Sequence, residues 1–121
     1  MTDSSLTINQ LIEMQSSLAI KQMIIIKFTA SWCAPCQGIK PIVDTYLEKI
    51  PQSIQYIEID VDESIELYSF LKTKKMLNGI PAILAFYPGT KDTAYIPDDS
   101  VLGGNKNEVE KFFERSINYV S

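Results

Sequence analysis

The apolar run Met23-Ile24-Ile25-Ile26-Lys27-Phe28 stops at Trp32-Cys33-Ala34-Pro35-Cys36, and a segment of helical character follows from Gln37 to Ile50. The run is short, rich in isoleucine and interrupted by one charge, as expected of a strand covered on both faces. The two cysteines, the only ones in 121 residues, therefore fall at a strand-to-helix junction beside the only tryptophan. A strand that must be covered on both sides, feeding directly into a helix, points to a layered α/β arrangement.

That placement has chemical consequences. The first turn of a helix carries unpaired backbone N–H groups, and with the helix dipole they favour negative charge and so the thiolate. Cys33 stands at this position and is expected to be the more exposed thiol. Cys36 lies one helical turn on, which aims its sulfur back toward Cys33. A thiolate at Cys33 could attack a substrate disulfide, and Cys36 could then release the substrate by attacking the mixed disulfide. Pro35, with no N–H and a preset φ, suits a first helical turn.

Other uses of the pair fit less well. A structural zinc site needs four ligands, and the chain has two cysteines and no histidine. No metal is therefore expected. A bridge closing so short a loop adds little stability, which weakens a purely structural reading.

Charge and hydropathy narrow the class further. The chain is 45% apolar and 21% charged, ordinary for one globular domain over 1–121. A net charge of −4 makes nucleic acid an unexpected partner. The basic cluster Lys72-Thr73-Lys74-Lys75 ends an expected helix, where it complements the dipole. The N-terminal Met1-Thr2-Asp3-Ser4-Ser5 has no basic leader character, and Met23–Ile26 is too short to span a membrane. No membrane association is expected, and a cytoplasmic, reducing compartment is, where a CxxC pair is more often catalytic than structural.

Further elements follow from periodicity and turn chemistry. A first helix starts at the cap Thr7 and runs from Ile8 to Leu18. The 37–50 helix contains Pro41, which should kink it. Ile54–Val61 reads as a strand and Ser64–Lys75 as a helix. A turn at Gly79-Ile80-Pro81 precedes a strand over Ala82–Tyr87, closed by Pro88-Gly89-Thr90. A short edge strand is expected near Ala94-Tyr95-Ile96. Asn105 and Glu108 have capping-box spacing, and Val109, Phe112, Phe113, Ile117 and Val120 form the apolar stripe of a last helix.

In this order the motifs resemble the thioredoxin family over nearly the whole chain. The carriers are Phe28-Thr29-Ala30-Ser31-Trp32-Cys33-Ala34-Pro35-Cys36, Ile39-Lys40-Pro41, Glu58-Ile59-Asp60-Val61-Asp62-Glu63, Gly79-Ile80-Pro81, and Gly103 before the last helix. The resemblance implies an α/β thioredoxin fold, a central mixed β-sheet flanked by helices on both faces. It implies Cys33 as nucleophile, Cys36 as resolving thiol and Pro81 as a cis-proline facing them. The backbone of Ile80 would pair with an extended substrate segment. Trp32, Ala34, Pro35, Gly79, Ile80, Pro81 and Gly103 would form the substrate groove.

The departures from the family pattern are specific. Ala34-Pro35 stands where Gly-Pro is common, Gln37 where Lys is frequent, and Thr29 at a tryptophan position. The stretch from Asp62 to Pro81 is longer than usual. Lys27 occupies the place of a buried aspartate associated with proton transfer to the resolving cysteine, and Glu58 matches a position often held by lysine. Two arrangements are open: a charge-swapped Lys27–Glu58 pair beneath the active site, tuning its proton transfer, or a Lys27 that snorkels to solvent.

The expected activity is a monomeric thiol–disulfide oxidoreductase that reduces protein disulfides. It has no nucleotide-binding glycine pattern and needs no bound cofactor, so a separate reductase must recycle it. A disulfide oxidase or isomerase of the same fold is the nearest alternative, kept open by Lys27. A non-catalytic adaptor module is the alternative from another class.

Overall fold

The computed structural model describes residues 6–89 and 93–121. Met1–Ser5, Thr90 of the expected turn, and Lys91 and Asp92 of the polar stretch after it lie outside the described residues. The described elements are α1 (Ile8–Ser17), β1 (Met23–Thr29), α2 (Ala34–Leu47), β2 (Ile54–Asp60), α3 (Glu66–Thr73), β3 (Ala82–Phe86), β4 (Asp99–Leu102) and α4 (Lys106–Val120). The strands form one mixed sheet in the order β2-β1-β3-β4. β1 runs parallel to β2 and antiparallel to β3, and β3 pairs antiparallel with β4.

Alternation along the central strand β1 divides the core in two. Ile24, Ile26 and Phe28 join Ile57, Ile59, Leu84 and Phe86 under Leu11 of α1 and Leu67 and Leu71 of α3. Met23 and Ile25 join Ile54, Ile83 and Val101 under Ile39 and Val43 of α2 and Val109, Phe112 and Phe113 of α4. Each fully buried Phe or Ile contributes about 1.5–3 kcal/mol. Stacking of Tyr46 on Phe113, with centroids 5.2 Å apart, joins the two helices on this second face. By the same alternation Lys27 and Thr29 belong to the second face, at the end of β1 where α2 begins.

Local chemistry explains most element ends. Thr7 caps α1 with a complete box: its hydroxyl accepts from the Gln10 amide, and the Gln10 side chain accepts from the Thr7 amide. Asn105 accepts from the Glu108 amide at 3.0 Å and starts α4. α2 starts earlier than the sequence suggests, at Ala34 rather than Gln37. Cys33 acts as its N-cap and Pro35 needs no N–H partner in the first turn. The helix is continuous through Pro41 and ends at Leu47, where the Lys49 and Ile50 amides both turn back to the Tyr46 carbonyl.

α3 is shorter than the expected Ser64–Lys75. Lys75 adopts φ +63°, and the Lys75 and Met76 amides donate to the Lys72 and Leu71 carbonyls. This is a Schellman ending with lysine where glycine is usual. The basic cluster lies over aromatic rings, Lys72 above Tyr68 and Lys74 above Phe70 and Tyr95.

The edge strand is not at Ala94–Ile96. There the Ile96 amide closes a turn onto Thr93, and pairing with β3 begins with Asp98, whose amide donates to Ala85 at 2.8 Å. Pro97 has no N–H for an earlier ladder bond, so the edge strand is β4.

Candidate active site

β1 delivers the chain to the top of the sheet, and α2 leaves from the same point. Cys33 is the last residue before α2 and Cys36 lies in its first turn. The two are joined by a disulfide with Cα atoms 5.2 Å apart. The Cys36 amide donates to Cys33 Sγ at 3.2 Å, so a sulfur takes the place of the usual oxygen cap. Both residues are largely buried, with Cys33 5% and Cys36 1% exposed. Cys33 is the more accessible of the two.

Three loops meet here. Trp32 is 68% exposed, and its Nε1 donates to Asp62 Oδ2 at 2.6 Å, which fixes the indole beside the pair. Ala34 and Pro35 are exposed, Gly79, Ile80 and Gly103 half-buried, and Pro81 buried. The Ile80–Pro81 peptide bond is cis. The Gly103 amide donates to the Pro81 carbonyl at 2.9 Å, extending the β3–β4 pairing, and Gly103 adopts φ +97°. A Cβ on Gly104 would lie 3.1 Å from Pro35 Cβ, so this loop also closes on the cysteine loop. Pro81 is thereby linked to Gly103, and the next residue, Gly104, to Pro35.

Behind the cysteines lies a polar cavity of about 190 Å³, lined by Cys36, Lys27, Glu58, Asp60, Lys40 and Gln37 among others. Lys27 and Glu58 are direct partners in the parallel β1–β2 register. Lys27 is 3% exposed and its Nζ lies 3.7 Å from Glu58 Oε1, with the Glu58 side chain 37% exposed. Lys27 therefore points inward, paired, and does not snorkel to solvent. The Tyr56 hydroxyl donates to the same Glu58 oxygen at 2.7 Å. Burial and then the Glu58 carboxylate push the Tyr56 hydroxyl far above the ordinary tyrosine range.

Tyr56, Asp60, Asp62 and Gln37, whose Nε2 donates to the Ala30 carbonyl, were not singled out as site residues in the sequence. The signal for two of them was present: Tyr56, Glu58 and Asp60 recur at period two and so share one face of β2. Among the described residues no group of three or more His, Cys, Asp or Glu is placed to hold a metal ion.

The thioredoxin family profile matches residues 8–114. The chain belongs to the thioredoxin family. It is 30% identical over 96 residues to a thioredoxin H-type protein of Oryza sativa subsp. indica, covering 79% of this chain and 70% of that one. It is 28% identical over 99 residues to thioredoxin-1 of Saccharomyces cerevisiae, covering 82% and 85%. Among solved structures, Fasciola hepatica thioredoxin superposes with a TM-score of 0.69 at 22% identity, over 96% of this chain and 99% of that one. The last likeness speaks to the fold alone. Family membership, with Cys33 and Cys36 bridged at the start of α2, makes this thioredoxin-family chain a thiol–disulfide oxidoreductase. No helix among its described residues is long and apolar enough to cross a membrane.

Proposed function

We propose that the protein reduces disulfides of other proteins. The Cys33 thiolate attacks a substrate disulfide, forming a mixed disulfide and releasing one substrate thiolate. Cys36 then attacks Cys33 Sγ, closes the Cys33–Cys36 bond and releases the second. Two electrons leave the protein in each cycle, and a separate reductase of the thioredoxin reductase kind returns them. The observation that carries this reading is the position of Cys33, the more exposed of the two bridged residues and the N-cap of α2.

The groove supplies the substrate contact. Trp32, Ala34 and Pro35 offer exposed surface on one side, and Gly79, Ile80, Pro81 and Gly103 form the other. An extended substrate segment pairs with the backbone at Ile80 and places its disulfide over Cys33. No cofactor takes part, the protein acts as a monomer, and the compartment is the cytoplasm. The test is reduction of a disulfide-bonded protein with dithiothreitol as donor. Wild type accelerates the reaction, and Cys33→Ser reduces the acceleration to background. An equal rate with Cys33→Ser would exclude the reading.

A second reading, disulfide oxidation or isomerisation, is favoured by one observation, the buried Lys27 in the cavity shared with Cys36.

A further inference from the structure

Lys27 is the only charged residue among the buried polar side chains described, which otherwise are Gln15 and Ser116. A buried cation needs a compensating partner, and Glu58 supplies it at 3.7 Å. Glu58 is itself engaged, since its Oε1 also accepts from Tyr56 at 2.7 Å, and its side chain is more than a third exposed. The compensation is therefore lopsided: the cation is shielded from water and the anion is not. Water screens the field of Glu58 more strongly than that of Lys27. The cavity that holds this pair is also lined by Cys36.

We infer that Lys27 is a positioning residue that sets how strongly oxidising the Cys33–Cys36 pair is, and that Glu58 sets how much of the Lys27 charge the reduced pair experiences. This deepens the oxidoreductase reading and rests on it. Reduction of the pair by two glutathione thiols breaks the Cys33–Cys36 bond and forms glutathione disulfide. Two adjacent cysteine sulfurs remain, and the thiolate they share is carried by Cys33 at the start of α2 with the Cys36 thiol beside it. A cation in the cavity that Cys36 lines stabilises this thiolate and has nothing comparable to stabilise in the disulfide, so it draws the equilibrium toward the reduced protein. The other charged or titratable groups facing the cavity are Lys40 of α2 and Asp60 of β2, with Tyr56 held behind Glu58. Lys40 is bridged to Asp44 at 3.1 Å and Asp60 Oδ1 accepts from the Asp62 amide, so both are partly occupied elsewhere.

The two members of the pair should act in opposite directions, which a merely structural role would not produce. The experiment equilibrates wild type, Lys27→Met and Glu58→Gln against a series of reduced and oxidised glutathione at pH 7. Methionine keeps the volume of the buried chain, and glutamine keeps an acceptor for Tyr56. The equilibrium constant for reduction by glutathione should fall about tenfold in Lys27→Met, the size of a one-unit change in ionisation. It should rise about threefold in Glu58→Gln, where a partly screened countercharge is removed. Both constants within twofold of wild type, or both moving the same way, would overturn the inference. If Lys27→Met does not fold, Glu58→Gln decides alone, a rise above twofold supporting the inference and anything less rejecting it. A wild-type pair that does not exchange with glutathione would instead overturn the oxidoreductase reading beneath it.

Discussion

The backbone amide of Cys36 donates to the sulfur of Cys33 across 3.2 Å, so Cys33 caps its own helix. Structure and chemistry at this residue can therefore be separated by substitution. Serine is among the best N-cap residues and accepts the same amide. In Cys33→Ser the stability should stay within about 0.5 kcal/mol of the reduced wild type, measured by denaturant unfolding. Cys36→Ser should retain the attacking thiol and accumulate a mixed disulfide with a protein substrate, visible by mass spectrometry. Failure to trap any adduct in Cys36→Ser, with Cys33 intact, would refute the assigned order of attack.

Gly103 adopts φ +97° while its amide holds the Pro81 carbonyl. A side chain is strained in that conformation whatever the space around it, at a cost of order 1–3 kcal/mol. Gly103→Ala should lower stability by roughly that amount and reduce kcat/KM for a protein disulfide severalfold, because relaxation of the strain moves the loop that anchors Pro81. Unchanged unfolding midpoints would show that the loop absorbs the alanine freely.

Lys75 presents the converse case. It occupies the left-handed position of the Schellman ending of α3, at φ +63°. Glycine removes the steric cost there but loses more chain entropy on folding, and at such positions the first effect wins. Lys75→Gly should stabilise the protein by about 0.5–1 kcal/mol, read as a higher denaturant midpoint, with activity unchanged. A lower midpoint would mean that the lysine side chain contributes more than its backbone strain costs.

Burial and Glu58 raise the Tyr56 hydroxyl above its ordinary value of 10.0. The stability this provides is complete below pH 10 and is lost as pH rises from there toward the shifted value, since the unfolded chain releases a proton that the folded one keeps. Wild type should lose roughly 1 kcal/mol more per pH unit than Tyr56→Phe above pH 10. Parallel stability–pH curves for the two proteins between pH 9 and 11.5 would show that Tyr56 ionises as freely in the fold as outside it.

Much of this molecule is written in local chemistry. The capping box at Thr7, the cap at Asn105, the apolar stripe of α4 and the strand-to-helix placement of Cys33 and Cys36 depend on residues within a few positions of one another, so the sequence alone determines them. Helix ends are less legible: the sulfur of Cys33 caps α2 ahead of Gln37, and the left-handed turn at Lys75 shortens α3. The edge strand is Asp99–Leu102 and not Ala94–Ile96, because pairing with β3 depends on where the intervening turn ends, and spacing alone does not set that.

What only the tertiary structure decided is the state of Lys27. Its alternation along β1 says which face it takes, but not whether that face is covered at its end. The β1–β2 register sets Glu58 directly beside it, and α2 starts above both, so a residue that could have reached solvent is enclosed with Cys36. The link between Pro81, Gly103 and the cysteine loop has the same origin, since it joins segments far apart in the chain. Contacts between distant residues arise when strands choose partners and helices choose a face, and no single segment carries that choice.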